Sequence, residues 1–247
     1  MDILFVHNNF PAQFRNLAAT LTLYPGIRVG AIGSRGSSDV ERVRLQRYSL
    51  EATDVAETHP FARRFDLECR RAEQILYAAT AFTKQGFAPK TVIAHCGWGE
   101  TLPLREAFPH ARIITYCEFY YRSQGQDVNF DPEFGSLGVD ACVGLQLKNA
   151  ATLLSVIESD DGIAPTLWQK STYPAELQSK ISVLHEGVDT GMATPGNTGS
   201  QRRAHACKRS AIDARYRGRD VRRAQFGAST RIPYLHARLT ADPPPAA

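Results

Sequence analysis

The sequence predicts an α/β fold, a doubly wound and mainly parallel sheet over residues 1–190, followed by a disordered basic tail over 191–247. Two observations carry this. Short apolar runs alternate with amphipathic helical patterns from Asp2 to Leu184, the rhythm of parallel strands joined by crossover helices. Charge then divides the chain, because residues 191–247 hold 11 of its 29 Lys and Arg but only 3 of its 25 Asp and Glu. The tail is therefore +8, and the remaining 18 basic and 22 acidic residues leave positions 1–190 at −4.

Asp2–His7 (DILFVH) reads as a buried strand, Asn8–Pro11 as a turn, and Ala12–Leu23 as a helix with Phe14, Leu17, Ala18 and Leu21 on one face. Ile27–Ile32 is a second strand, Gly33–Ser38 a Gly/Ser loop and Val43–Tyr48 a third, shorter strand. From Pro60 to Gln85 the residues Phe61, Phe65, Cys69, Ala72, Leu76 and Ala79 recur at spacings of three and four, which predicts a long amphipathic helix ended by Gly86. Thr91–His95 is the next strand, Leu102–Phe108 a short helix and Arg112–Tyr116 a further strand. Glu118–Gly138 lacks periodicity but is rich in aromatic and acidic residues, the composition of a long ordered loop that carries function. Asp140–Ile157 reads as one helix, apolar around most of its circumference and so mostly buried. Gly162–Ala164 is a short strand, Pro165–Tyr173 a helix carrying Trp168, and Lys180–Leu184 a last strand leading into His185, Glu186, Gly187, Val188 and Asp189.

The stretch most like a site is Ala94–Glu100 (AHCGWGE), where a strand ends in an imidazole, an indole and a carboxylate set around two glycines. Gly97 and Gly99 bring backbone amides close to a ligand, and in an open α/β sheet ligands collect at the carboxyl ends of strands. A tight turn with Trp98 packed inward fits the same residues. Glu100 and Glu118 favour a site, because carboxylates beside buried strands are costly unless paired or used. His7, His95, Cys96, Cys117 and Glu118 are zinc-ligand types at strand ends, yet no pattern of supporting partners accompanies them and no metal is expected. The five cysteines, Cys69, Cys96, Cys117, Cys142 and Cys207, lack a paired C-x-x-C spacing and read as free thiols. No apolar run is long enough to span a bilayer, and the acidic start is unlike a signal peptide, so the chain reads as cytoplasmic.

Together, HNNFPAQFRNLA, IAHCGWGETL, CEFYYRSQGQDVNFDPEF, APTLWQKSTYPAEL and KISVLHEGVDT resemble, in that order, the amino-terminal domain of a family 4 glycosyltransferase over about residues 1–190. The resemblance implies one Rossmann-like half of a GT-B enzyme, which moves a sugar from a nucleotide-sugar donor with retention of configuration and uses no metal or cofactor. The amino-terminal half shapes the acceptor side. By this resemblance Asn8, Asn9, Phe10, Pro11 and Gln13 lie at the cleft floor, and His95, Trp98, Gly99 and Glu100 line a second cleft loop. Glu118, Phe119, Tyr120, Tyr121 and Arg122 open a third, and Gln169 and Ser171 sit on a helix near the cleft. These residue types suit a carbohydrate, since rings stack on sugar faces while amides and carboxylates pair with hydroxyls. Tyr120 and Tyr121 serve equally well as packing for their own loop. The implied partners are a glycan or lipid-linked acceptor, compatible with peripheral membrane contact, and a nucleotide-sugar held by a second domain.

Nothing after Asp189 resembles that second domain, so the chain as written is expected to be inactive alone. Read one nucleotide along, AQFGASTRIPYLHARLTADPPP can encode a string close to RNLEPRRGFPTFMRALPRILP, which resembles the domain's opening. A frame change between about residues 190 and 224 is therefore expected, and with it no specific nucleic-acid partner. The alternative is a non-catalytic α/β binding module whose basic tail contacts nucleic acid.

Overall fold

All five residues of the first strand, β1 (Asp2–Val6), are buried in the computed structural model, which describes residues 1–50, 55–131, 133 and 136–188. Strands β2 (Arg28–Ser34), β3 (Val43–Tyr48), β4 (Pro89–His95), β5 (Arg112–Tyr116), β6 (Asp161–Ala164) and β7 (Ile181–Val183) join it in one sheet. Their order is β3-β2-β1-β4-β5-β6-β7 and every neighbouring pair is parallel. This is the Rossmann-like α/β fold that the sequence predicts, and β3 and β5 have the expected bounds.

The chain builds outward from β1 to β3, then returns past β1 to add β4 through β7 on the other side. Val6 pairs with Ile32 on one flank and Ala94 on the other, so the loops after β1 and β4 leave the sheet side by side. That reversal of strand order is where open α/β sheets bind ligands.

Alternate residues of β1 serve opposite layers. Leu4 and Val6 pack with Ile32, Val92 and Ala94 beneath helices α2 (Arg63–Lys84) and α3 (Leu104–Ala107), which contribute Ile75, Ala78, Ala79, Phe82 and Leu104. Ile3 and Phe5 pack on the other face with Phe10, Phe14 and Ala18, the last from α1 (Arg15–Leu21). A third cluster joins Cys96, Cys117 and Ala164 to Val156 of α5 (Ala150–Glu158), to Tyr173 after α6 (Leu167–Thr172) and to Ile181. Helices α4 (Val139–Leu147) and α7 (Ala175–Gln178) complete the described elements.

Four expectations are corrected. The helix expected over 12–23 begins as a 3-10 turn, Ala12–Phe14, and Leu17 is 46% exposed because it falls at the margin of the stripe formed by Phe14, Ala18 and Leu21. In α2 the buried face is Glu68, Ile75, Ala78, Ala79 and Phe82, rotated by about 80° from the expected one at 3.6 residues per turn. Charged Arg64, Glu68 and Arg71 fill the first half of that inner face, so the apolar pattern points elsewhere. The single helix expected over 140–157 is two, because Asn149 turns its carboxamide to the backbone of Tyr121 at the break. No residue of α4 is buried, and Val139 and Leu147 face outward. Finally α7, a single turn following Pro174, is an element the sequence pattern does not announce.

The described strands and helices fall in the compact unit Met1–Gly187. The tail from 191 onward, the expected frame change and Cys207 lie outside the described residues; the other four cysteines are free thiols. Among the described residues no helix is long and apolar enough to cross a membrane.

Candidate functional site

The two loops at the strand-order reversal each begin with a buried histidine that accepts a backbone hydrogen bond. Asn9 N donates to His7 Nδ1 at 2.8 Å, and Gly97 N donates to His95 Nδ1 at 3.0 Å. With Nδ1 an acceptor in both, Nε2 is the ring nitrogen left to carry the proton. His95 Nε2 lies 2.9 Å from Oε2 of the half-exposed Glu118, just beyond β5. That hydrogen bond holds the Glu118 carboxyl below the usual range, so it is ionised at neutral pH. His7 meets His95 edge to face at 5.1 Å, and burial keeps His7 neutral. Tyr116, whose ring is 5.9 Å from that of His95, donates its hydroxyl to Glu186 after β7.

Past His95 the chain makes a 3-10 turn, Cys96–Trp98, and reverses through Gly99 at φ +87. Trp98 lies between two arginines of α2, with the guanidinium carbons of Arg64 and Arg71 at 4.9 and 5.9 Å from the ring centre. Arg64 also bonds Gly97 O at 3.3 Å and the buried Glu68 at 2.5 Å, and Arg71 donates to Trp98 O. The turn points Glu100 inward, where it is fully buried. Tyr48 Oη lies 3.3 Å from both Glu100 Oε1 and Asn8 Oδ1, while Glu100 Oε2 has no partner among the described residues. Burial pushes the Glu100 carboxyl up to about 7 against the pull of Arg71.

The loop after β5 is fastened to the helices behind it. Tyr120 N donates to Thr172 Oγ1 at 3.0 Å, Tyr121 exchanges bonds of 2.9 and 2.8 Å with the Asn149 side chain, and Arg122 donates to the carbonyls of Thr172 and Tyr173. Phe119 then stands 5.1 Å from Tyr121 and 5.5 Å from the exposed Trp168, with Lys148 Nζ 3.4 Å above the Tyr121 ring. Among the described residues no group of three or more His, Cys, Asp or Glu is placed to hold a metal ion.

Residues 25–193 match the sequence model of the glycosyl transferase family 4 group. The chain belongs to this family. Its fold is similar to that of a variant of Os79 from O. sativa in complex with UDP, with a TM-score of 0.50 and 10% identity over 85% of this chain and 58% of that one. The N-terminal domain of Candida albicans trehalose-6-phosphate phosphatase gives 0.49 at 15% identity over 84% and 54%. UDP-GlcNAc 2-epimerase from Neisseria meningitidis bound to UDP-GlcNAc gives 0.41 at 14% over 74% and 45%. The chain thus spans about half the length of these structures. No curated protein matches it.

In this family 4 chain, Asn8, Asn9, His95, Trp98 and Glu118 come together around the β1–β4 reversal, with the half-buried Gln13 on the turn before α1. Phe10, Gly99 and Glu100, expected to line the cleft, are inside instead. Phe10 is fully buried against Phe5, because its apolar ring completes the layer under α1, and Glu100 lies beneath the surface because Gly99 turns the chain inward. Gly99 is itself buried against Glu68. Tyr120 packs on Tyr173 as part of the third core cluster, and Tyr121 and Arg122 are held by the bonds above. The Gln169 side chain accepts from Thr166 at the start of α6. Tyr48, Arg64, Arg71 and Glu186 also belong to the site's framework. The spacing of Arg64, Glu68 and Arg71 at i, i+4 and i+7 is the signal that marks the α2 members.

Asn149→Ala removes both bonds to Tyr121 and leaves polar backbone groups half-buried without partners. We expect about 2 kcal/mol lower stability and faster amide exchange at Tyr121, read by hydrogen exchange.

Proposed function

We propose that residues 1–190 form the acceptor-side half of a retaining glycosyltransferase that takes its sugar from a nucleotide-sugar donor. The observation that carries this reading is Glu118. Its carboxylate is ionised, half-exposed and held in place by His95 at the strand-order reversal, a suitable acceptor for the hydroxyl of a bound glycan. The Phe119, Tyr121 and Trp168 rings beside it offer apolar faces for a pyranose. The acceptor is a glycan or a lipid-linked sugar, and the donor is held by a second domain. Catalysis in this scheme comes from positioning and electrostatic stabilisation of the departing nucleotide.

Saturation-transfer NMR against a panel of oligosaccharides tests the reading. At least one glycan is expected to bind the 247-residue chain, with Glu118→Ala weakening it about tenfold through the lost charged hydrogen bond. A panel without a binder, or a variant that binds equally well, would falsify the assignment. The same chain is expected to leave nucleotide-sugars intact, so turnover at ordinary glycosyltransferase rates would show that it needs no second domain. Resequencing the gene from the codon of His185 onward checks the proposed frame change.

A further inference from the structure

At the carboxyl ends of β1, β2 and β3 the surface opens into a cleft of about 220 Å³, lined among others by Asn8, Ser34, Arg35, Tyr48 and Arg71. Pockets for whole drug-sized ligands run to roughly 300–1,000 Å³, so this one has room for a single substituent. Its walls carry unmatched donors. The exposed Arg35 guanidinium has no hydrogen-bond or ion-pair partner among the described residues, and Arg71 Nε is buried without one. Asn8 uses its side-chain oxygen to accept from Tyr48, which leaves the hydrogens on its amide nitrogen uncommitted. Ser34 Oγ accepts from Gly36 N at 3.3 Å and keeps its own proton to give. Glu100 is shut off behind Tyr48.

Two guanidinium groups, an amide and a hydroxyl around one small cleft form a complement to an oxyanion, since such donors bind charged oxygens about twice as strongly as neutral ones. We propose that this cleft is a subsite for an oxyanion carried by the acceptor, a phosphate or carboxylate on a sugar or polyol. Naming the acceptor as carrier rests on the acceptor-side reading of the domain; the affinity for an oxyanion rests on the cleft alone.

Calorimetric titration of the 247-residue chain with inorganic phosphate, glucose 6-phosphate, glucuronate, glucose and UDP tests it. Phosphate and at least one of the two anionic sugars are expected to saturate the protein while glucose does not, and comparing the two sugars tells phosphate from carboxylate. Arg35 is exposed, so Arg35→Gln is expected to fold normally by circular dichroism and to bind the anionic sugar at least about tenfold more weakly. Ser34→Ala is a second, milder variant with the same direction. Failure of every anion to saturate, equal binding of glucose, or unchanged affinity in Arg35→Gln overturns the proposal. Arg35-dependent binding of UDP tighter than either anionic sugar overturns the assignment to the acceptor. Loss of glycan binding in Glu118→Ala is read separately, so the two readings fail independently.

Discussion

Gly99→Ala is expected to destabilise the protein by about 3 kcal/mol, measured by urea unfolding at neutral pH. Two penalties combine. A side chain at φ +87 costs about 1–2 kcal/mol, and a Cβ there would sit 2.5 Å from the Glu68 carbonyl oxygen and 2.7 Å from its Cβ, an overlap with a packed helix that costs about 1–3 more. Relief requires α2 to move away from the 95–99 turn, which would disturb the Arg64 and Arg71 contacts to Trp98. Gly86→Ala is the control. Gly86 has a similar φ of +73 but open space where a Cβ would be, so it should lose only about 1 kcal/mol. Equal losses in the two variants would show that the close approach to Glu68 contributes nothing.

The second large effect is on pH dependence. Glu100 titrates at about 7 when folded, mainly because of burial, against an ordinary value of 4.5. Between those two values the folded protein keeps a proton that the unfolded chain releases, so stability falls as pH rises through this window and the loss is complete above 7. The loss amounts to about 3 kcal/mol, at 1.36 kcal/mol per pH unit. Glu100→Gln cannot ionise and keeps a polar carboxamide beside Tyr48 Oη. The variant should therefore gain on the parent between pH 5 and pH 8 and match it near pH 4. Unfolding curves at the three pH values decide this, and parallel profiles for parent and variant would rule it out.

The sheet was legible because its strands are apolar runs set between turn residues, and DILFVH, RIITY and KISVL needed no tertiary knowledge. The helices were harder where charge is buried. Glu68 lies on the inner face of α2 only because Arg64 reaches it one turn away, and apolar periodicity takes no account of such a pair. The break at Asn149 depends on a partner 28 residues upstream. The site divides in the same way. AHCGWGE announced His95 and Trp98 because glycines, a ring and an imidazole crowd one strand end, whereas Tyr48 reaches Asn8 and Glu100 across 40 and 52 residues. Phe10 shows the limit of carrying roles over by position, since its place in the loop is shared but its ring belongs to the core.

The strand order has a further consequence at its two ends. Among the described residues the outermost strands, β3 and β7, each have one flank without a strand partner, an edge that another chain's strand can extend and a common route to aggregation. On β3, Arg44 reaches over the Phe82 ring and Arg47 pairs with Asp39, so an incoming strand would have to displace or desolvate fixed positive charge. At the other margin β7 is three residues long, too short to template a ladder. The sheet therefore blunts both margins by different means, cationic cover on one and brevity on the other.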